Sequence, residues 1–350
     1  MIRAGTFILV LAAHAAIIGL LIGGCPDRHS DGGLHGGPRS SDPAPAASPA
    51  ERRGGGSGDE VDATPSGGAR DGAARFSPRT FAASRHTPPS GLSHRAAQIC
   101  KAGVVVDWTS RRVLWSHKPD EAHPIASLTK MMTALLVAER VQSDPGWSWD
   151  REVPVTEAAW RIGGSQVWLD PREVFTVDEL LKATLIFSAN DTAYLLAEAM
   201  GNGDPAAFVG GMNRRARQMG LSSMHFSNPH GLPEGESSQD NRATALECAY
   251  LAGRLLAYPR IAKWASTRLA WLREDTDQPL QLLSRNPLVG AVPGVNGMKT
   301  GFTARAGFCI AATCTREGRT LIVVLLGCDT KDGRNELVGD FLDWGYSILP

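Results

Sequence analysis

The composition of this chain changes near residue 98, and that change decides which part can fold. Residues 26 to about 98 are rich in Gly, Pro, Ser, Ala, Asp and Arg, with Gly54-Gly55-Gly56, Pro43-Ala44-Pro45 and Pro88-Pro89 among them. Large apolar side chains are almost absent, so the stretch cannot bury enough surface to offset its ordering entropy. It reads as a disordered tether, spanning on the order of 45 Å as a flexible coil and about 240 Å fully stretched. Order is expected to begin near Ile99, in one folded domain over residues 99–350.

Ahead of the tether, Arg3 precedes a run from Thr6 to Gly24 that is apolar except for Thr6 and His14. The run ends in Leu21-Ile22-Gly23-Gly24-Cys25, which resembles the lipobox of bacterial lipoproteins. Residues 1–25 therefore read as a signal segment with lipidation at Cys25, as an uncleaved membrane anchor, or as a simple secretion signal. All three place the remainder in the cell envelope, where disulfides are permitted. Six cysteines are present, at 25, 100, 248, 309, 314 and 328, with no CxxC pair and no HExxH. No metal site is expected, and His29 and His35 have no ligand cluster around them. If Cys25 carries lipid, at least one of the other five is free or pairs between chains. The spacing assigns no bridge, and buried free thiols fit equally well. With 36 basic and 36 acidic side chains and no basic stripe, nucleic acid is excluded as a partner. The membrane is expected to be met through the N-terminus only.

Within the folded part, Ala102 to Trp108 and Val113 to Trp115 flank a polar turn and predict a hairpin. Ala306–Thr315 and Thr320–Gly327 predict a second. Helical patterns lie between them, over Ser127–Val141, Asp178–Ile186, Asp191–Met200, Pro205–Met219 and Ala243–Leu256. A last amphipathic helix is expected from about Asn335 to Tyr346. Strands at both ends with helices between indicate one mixed α/β domain whose sheet joins the two chain ends.

Three short motifs carry chemistry. Ser127-Leu128-Thr129-Lys130 opens a helix that is apolar nearly all round, so serine and lysine share one face of a buried helix. Burial lowers a lysine's pKa, and a neutral amine beside a hydroxyl is a general base beside a nucleophile. Ser188-Ala189-Asn190 lies on a tight inter-helix connection, where a hydroxyl and an amide both reach one cleft; helix capping is the plainer use of the same residues. Lys299-Thr300-Gly301 leads into the Ala306–Thr315 strand. On an edge strand its lysine and threonine hold a carboxylate, and the glycine admits a substrate backbone. Each motif alone is weak. Their order, and the context of each, is that of the active-site serine penicillin-recognising enzymes.

From Ala102 to about Tyr346 the chain resembles the low-molecular-mass D-alanyl-D-alanine carboxypeptidases. The resemblance extends to Gly164-Ser165-Gln166-Val167-Trp168-Leu169, Phe226-Ser227-Asn228-Pro229-His230-Gly231-Leu232 and Gly297-Met298-Lys299-Thr300-Gly301-Phe302-Thr303. It implies a β-lactamase/transpeptidase-like fold: an antiparallel sheet flanked by helices, with an all-helical subdomain. It also implies an acyl-enzyme on Ser127, with Lys130 as base, Ser188 passing a proton to the leaving D-alanine, and Asn190 orienting Lys130 and the substrate amide. Lys299 and Thr300, beside Gly301, would hold the terminal carboxylate, and the N–H groups of Ser127 and Phe302 would form the oxyanion hole. Two lysines converging on one cleft each disfavour the other's proton, so Lys130 can be neutral while Lys299 stays charged for the carboxylate; which amine deprotonates is a coupled question that the sequence leaves open. The implied substrate is a peptidoglycan stem peptide ending in D-Ala-D-Ala; β-lactams are the implied covalent inhibitors, and no cofactor is needed. Many relatives carry a C-terminal β domain and an amphipathic membrane helix. Here the chain stops at Pro350, so anchoring is expected at the N-terminus.

Two other functions fit the same residues: a D-alanyl endopeptidase cutting cross-links, and a wall-tethering protein that binds stem peptides without turnover. Asn228 and His230 read as a structured turn beside the cleft rather than as part of a triad, because a lysine already supplies the base. Trp160, Trp168 and Trp271 read as core or cleft wall rather than as sugar platforms.

Overall fold

The computed structural model describes residues 80–84, 86–236 and 239–349. The apolar run, Cys25 and the tether up to residue 79 lie outside the described residues. The first elements are a two-residue strand β1 (Ala82–Ala83) and a helix α1 (Ser90–Ile99). The boundary expected at Ile99 is therefore too late. Leu92, Ala96, Ile99 and Cys100 recur every three or four residues, and all four pack into a core cluster with Leu337, Val338 and Phe341. A stripe this short, next to Pro88-Pro89, is hidden by the polar composition around it.

Strands β2 (Ala102–Asp107) and β3 (Arg112–His117) form the first expected hairpin. The middle of the chain holds β4 (His123–Pro124), α2 (Lys130–Ser143), β5 (Glu152–Pro154), α3 (Glu157–Trp160), β6 (Val174–Thr176), α4 (Val177–Ile186), α5 (Asn190–Met200), α6 (Pro205–Gln218), β7 (Arg242–Ala243), α7 (Ala245–Leu255) and α8 (Pro259–Ala265). A ribbon of β8 (Leu269–Leu272) and β9 (Leu280–Leu283) follows, then β10 (Val295–Thr303), β11 (Gly307–Arg316), β12 (Arg319–Cys328) and α9 (Lys331–Ser347). Helix starts follow their caps: Thr176 and Thr244 each close a capping box, with Glu179 and Glu247, and Asp204 caps α6 ahead of Pro205.

The main sheet runs β1-β3-β2-β12-β11-β10. Every pairing is antiparallel except that of β1 with β3, which is parallel. Both chain ends thus meet in one sheet, as expected, with one parallel contact added at its edge. The central strands are buried on both faces, so their sequences are continuous apolar runs. Alternation divides them: Val104, Val106, Ile322, Val324 and Leu326 face the helices of the chain's middle, while Val105, Leu321, Val323 and Leu325 face α1 and α9. Each such side chain contributes about 1.5–3 kcal/mol by leaving water. A disulfide joins Cys100 to Cys328, tying the start of β2 to the end of β12. Closing so long a loop contributes roughly 2–5 kcal/mol. Cys248, Cys309 and Cys314 are buried free thiols.

Candidate active site

The nucleophile motif folds differently from the single helix its sequence suggests. Ala126–Thr129 is a 3-10 turn, and the α-helix proper starts at Lys130. Ala126 enters the turn at φ 46°, a conformation that costs a residue with a side chain, and surrounding contacts hold it there. Thr129 Oγ1 donates to Ala126 O (2.7 Å) and accepts from Asn241 Nδ2 (2.9 Å). Gly231, at φ 87°, lies so close behind the turn that a Cβ there would stand 2.0 Å from Ala126 O. From the other side Gly301 presses in, where a Cβ would stand 3.0 Å from Ser127 N. Ser127 is therefore set between two glycine backbones.

Lys130 is fully buried one turn on, and its Nζ donates to Ser127 Oγ (3.0 Å), Asn190 Oδ1 (2.6 Å) and His230 O (2.7 Å). Its pKa is held well below the usual lysine value, first by burial and then by the charge of Lys299, with Asp191 pulling the other way. Asn190 is held in turn: its Nδ2 donates to Gly163 O (2.9 Å) and its N–H to Ser165 O (2.7 Å). The neighbouring Asp191 carboxylate accepts from the N–H groups of Val167 (3.0 Å), Leu169 (3.4 Å) and Thr192 (2.9 Å), fixing the loop that follows Ser165. Ser188 stands at φ 66° and lines the same cleft as Ser127 and Ser165.

That cleft, about 340 Å³, is also lined by Arg285, Thr300, Gly301, Phe302, Lys331 and Arg334. Lys299-Thr300-Gly301 does not lie at the mouth of the Ala306–Thr315 strand. It sits within a nine-residue strand of its own, β10, at the sheet edge, with Thr300 opposite Ile310. Lys299 is buried and its Nζ donates to Thr300 O (2.9 Å). Burial, then Arg285, then Arg334 bring its pKa down to about 7.

The structure thus brings Ser127, Lys130, Ser188, Asn190, Thr300, Gly301 and Phe302 to one cleft, with Lys299 beneath it. Asn228 and His230 form a turn, as expected. Asn228 Oδ1 accepts from the N–H groups of His230 (3.2 Å) and Gly231 (2.6 Å), and burial and Lys130 lower the His230 imidazole pKa to about 3. Sequence reasoning missed the part His230 does play, because a backbone carbonyl carries no sequence signal. It also missed Arg285 and Arg334. Arg334 had a signal: it lies on the buried stripe of α9 with Leu337, Val338, Phe341 and Leu342, a position where a charge needs a reason. The three tryptophans differ from expectation: Trp160, Trp168 and Trp271 are 51%, 62% and 37% exposed.

Residues 90–330 match the model of the D-alanyl-D-alanine carboxypeptidase peptidase family. The chain is 35% identical over 272 residues to D-alanyl-D-alanine carboxypeptidase DacF of Bacillus subtilis, covering 78% of this chain and 67% of that one. It is 32% identical to DacC of Escherichia coli, covering 78% and 66%. The chain therefore spans about two thirds of the length of these curated relatives. Among solved structures, penicillin-binding protein 5 of Haemophilus influenzae superimposes with a TM-score of 0.66 at 29% identity, covering 75% of this chain and 72% of that one. Penicillin-binding protein D2 of Listeria monocytogenes, in an ampicillin-bound form, superimposes at 0.63 with 29% identity, covering 74% of this chain and all of that one. The fold, the three motifs in one cleft and these similarities agree: the chain belongs to the D-alanyl-D-alanine carboxypeptidase family of peptidases, which are hydrolases.

Proposed function

We propose that this chain is a serine D-alanyl-D-alanine carboxypeptidase that removes the terminal D-alanine from peptidoglycan stem peptides in the cell envelope. One observation carries the reading: the buried Lys130 Nζ lies 3.0 Å from Ser127 Oγ, with Asn190 Oδ1 and His230 O at 2.6 and 2.7 Å. A neutral amine has two hydrogens and one lone pair. The two carbonyl oxygens take the hydrogens, and the lone pair is left for the Ser127 hydroxyl.

Lys130 then takes the Ser127 proton as Oγ attacks the carbonyl of the penultimate D-alanine. The N–H groups of Ser127 and Phe302 receive the oxyanion, and Gly301 supports that role by letting β10 approach the serine turn closely. Ser188 relays the proton from Lys130 to the departing amine, and free D-alanine leaves. Water attacks the resulting ester, Lys130 takes its proton and hands it to Ser127 Oγ as the ester C–O bond breaks, and the shortened peptide leaves with Ser127 and neutral Lys130 regenerated. Lys299 and Thr300 hold the terminal carboxylate, and Arg285 and Arg334 add positive potential at that end of the cleft. A β-lactam presents a strained amide and a carboxylate to the same groups. The ampicillin- and cefotaxime-bound forms of the Listeria relative support acylation here as well. Residues 1–25 act as the export segment, with lipid on Cys25 or as an uncleaved anchor, and the Gly/Pro/Ser-rich residues after them act as the tether.

Intact-mass spectrometry after incubation with benzylpenicillin, beside release of D-alanine from a peptide ending in D-Ala-D-Ala, tests the reading. A one-to-one adduct and D-alanine release are expected, and both should vanish in Ser127→Ala. A folded protein that neither forms an adduct, nor turns the β-lactam over, nor releases D-alanine would sink it.

A further inference from the structure

Among the described residues, the large apolar side chains left exposed are Trp160, Trp168, Val174, Leu269, Trp271, Leu283 and Phe302. All but Phe302 fall on two segments, residues 160–174 and the β8–β9 ribbon. Leu269 pairs with Leu283 and Trp271 with Gln281, while the alternating Leu272 and Leu282 are fully buried. One face of the ribbon therefore holds it to the core, and the other presents Leu269, Trp271 and Leu283 to solvent. Arg273 clamps the ribbon to the first segment. Its guanidinium donates to Val167 O and Trp168 O (3.0 Å each) and pairs with Glu173.

Trp168 is set in place as a positioned group would be. Its backbone stands at φ 53°, a conformation that a bulky residue adopts only when its surroundings impose it. Asp191 and Arg273 impose it from either side. With the Gln166 amide oriented so that both its ends are satisfied, its nitrogen donates to Ile162 O (2.7 Å) and its oxygen accepts from Trp168 Nε1 (3.0 Å). The indole is thus fixed by its own N–H while most of the side chain meets solvent. Both segments run directly into the cleft wall: Ser165 lies three residues before Trp168, and Arg285 two residues after Leu283.

We propose that this face, centred on Trp168 and Trp271, is a binding platform for the glycan strand that carries the stem peptide. The proposal rests on the carboxypeptidase reading. A substrate peptide attached to a polymer of neutral N-acetylated amino sugars brings that polymer to the edge of the cleft. Pyranose rings present flat C–H faces, which rigid, exposed indoles bind at little cost in conformational entropy. The exposed turn of the ribbon carries Glu274, Asp275 and Asp277, while Arg161 and Arg172 of the first segment pair with Glu157 and Asp170, so the face is of mixed charge and suits a neutral polymer better than an anionic lipid surface. Binding remote from the scissile bond would raise the local concentration of stem peptides without altering the acylation step.

The test titrates the full chain with peptide-free N-acetylated amino-sugar strands and measures Kd by calorimetry. Trp168→Ala and Trp271→Ala should each weaken binding about tenfold. Trp168→Phe and Trp271→Phe retain a ring and should stay within about threefold of the parent. Absence of strand binding by the parent, or unchanged Kd in both alanine variants, overturns the proposal. So does loss of co-flotation with phosphatidylethanolamine–phosphatidylglycerol vesicles in the variants while glycan binding persists, which would make the face a lipid surface. Benzylpenicillin acylation of the parent, read in parallel, separates this outcome from failure of the carboxypeptidase reading: the glycan titration does not depend on Ser127.

Discussion

The two lysines of the cleft are both sealed from water, yet their surroundings are built differently. Lys130 Nζ has three oxygen atoms within hydrogen-bond reach, one of them the serine hydroxyl. Lys299 Nζ donates to the carbonyl of Thr300 and has Arg285 and Arg334 as charged neighbours. Burial lowers both pKa values, but the consequence differs. Around Lys130, carbonyl oxygens accept the hydrogens of a neutral amine, so losing a proton strands nothing. Around Lys299, the charged groups that act on the amine are the guanidiniums of Arg285 and Arg334, an arrangement that suits the anionic end of the proposed substrate. In the proposed mechanism one end of the cleft is finished by the protein, and the other is left for the substrate to finish.

The comparison can be broken most directly at Lys130. Lys130→Met should lower the rate of benzylpenicillin acylation by about 10³-fold or more, as expected when a general base acting as a unit with its nucleophile is removed. Stopped-flow acylation checks it, and a fall below tenfold would mean that the base lies elsewhere. Lys299→Met is the next largest. It should lower kcat/KM for a D-Ala-D-Ala peptide by about 10²-fold, through loss of a charge-assisted contact to the carboxylate. The same variant should lose much less toward a substrate whose terminal carboxylate is amidated, and equal losses on both would erase the distinction between the two ends.

Gly231→Ala probes how far the finished end depends on backbone. Its Cβ would collide with Ala126 O at a φ of 87°. We expect a loss of about 2–4 kcal/mol of stability in denaturant titration. Acylation should also slow, because the His230 carbonyl moves away from Lys130. A variant as stable as the parent would show that the serine turn yields easily.

The smallest effect sharpens the comparison by pH. In the proposed mechanism activity needs Lys130 deprotonated, so it rises with pH through the lowered Lys130 pKa. It needs Lys299 protonated, so kcat/KM falls as pH rises past about 7, the value set by burial, Arg285 and Arg334. A bound carboxylate favours the charged lysine, so the falling limb of kcat should lie at higher pH than that of kcat/KM. Coincident limbs in the two profiles would mean that the carboxylate does not meet Lys299.

Much of the fold was legible because its signals are local. The apolar run of β2, the β11–β12 hairpin and the capped starts of α4, α6 and α7 each declare themselves within about ten residues. Helix α1 was lost because its stripe of Leu92, Ala96 and Ile99 matters only against α9, some 240 residues away in sequence. Strand β10 was read only as a motif because Gly297, Gly301 and the polar pair Lys299-Thr300 do not resemble a strand until β11 pairs with them. Sequence alone determined the residue types of the proposed reaction and their order, since nucleophile, base and cation are properties of side chains. Tertiary structure alone decided the disulfide partner of Cys100, the carbonyl of His230 beside Lys130, the arginines around Lys299 and the exposure of the tryptophans. Those depend on distances between segments far apart in the chain, where a carbonyl looks the same at every residue and a charge acquires its pKa only from what the fold packs around it.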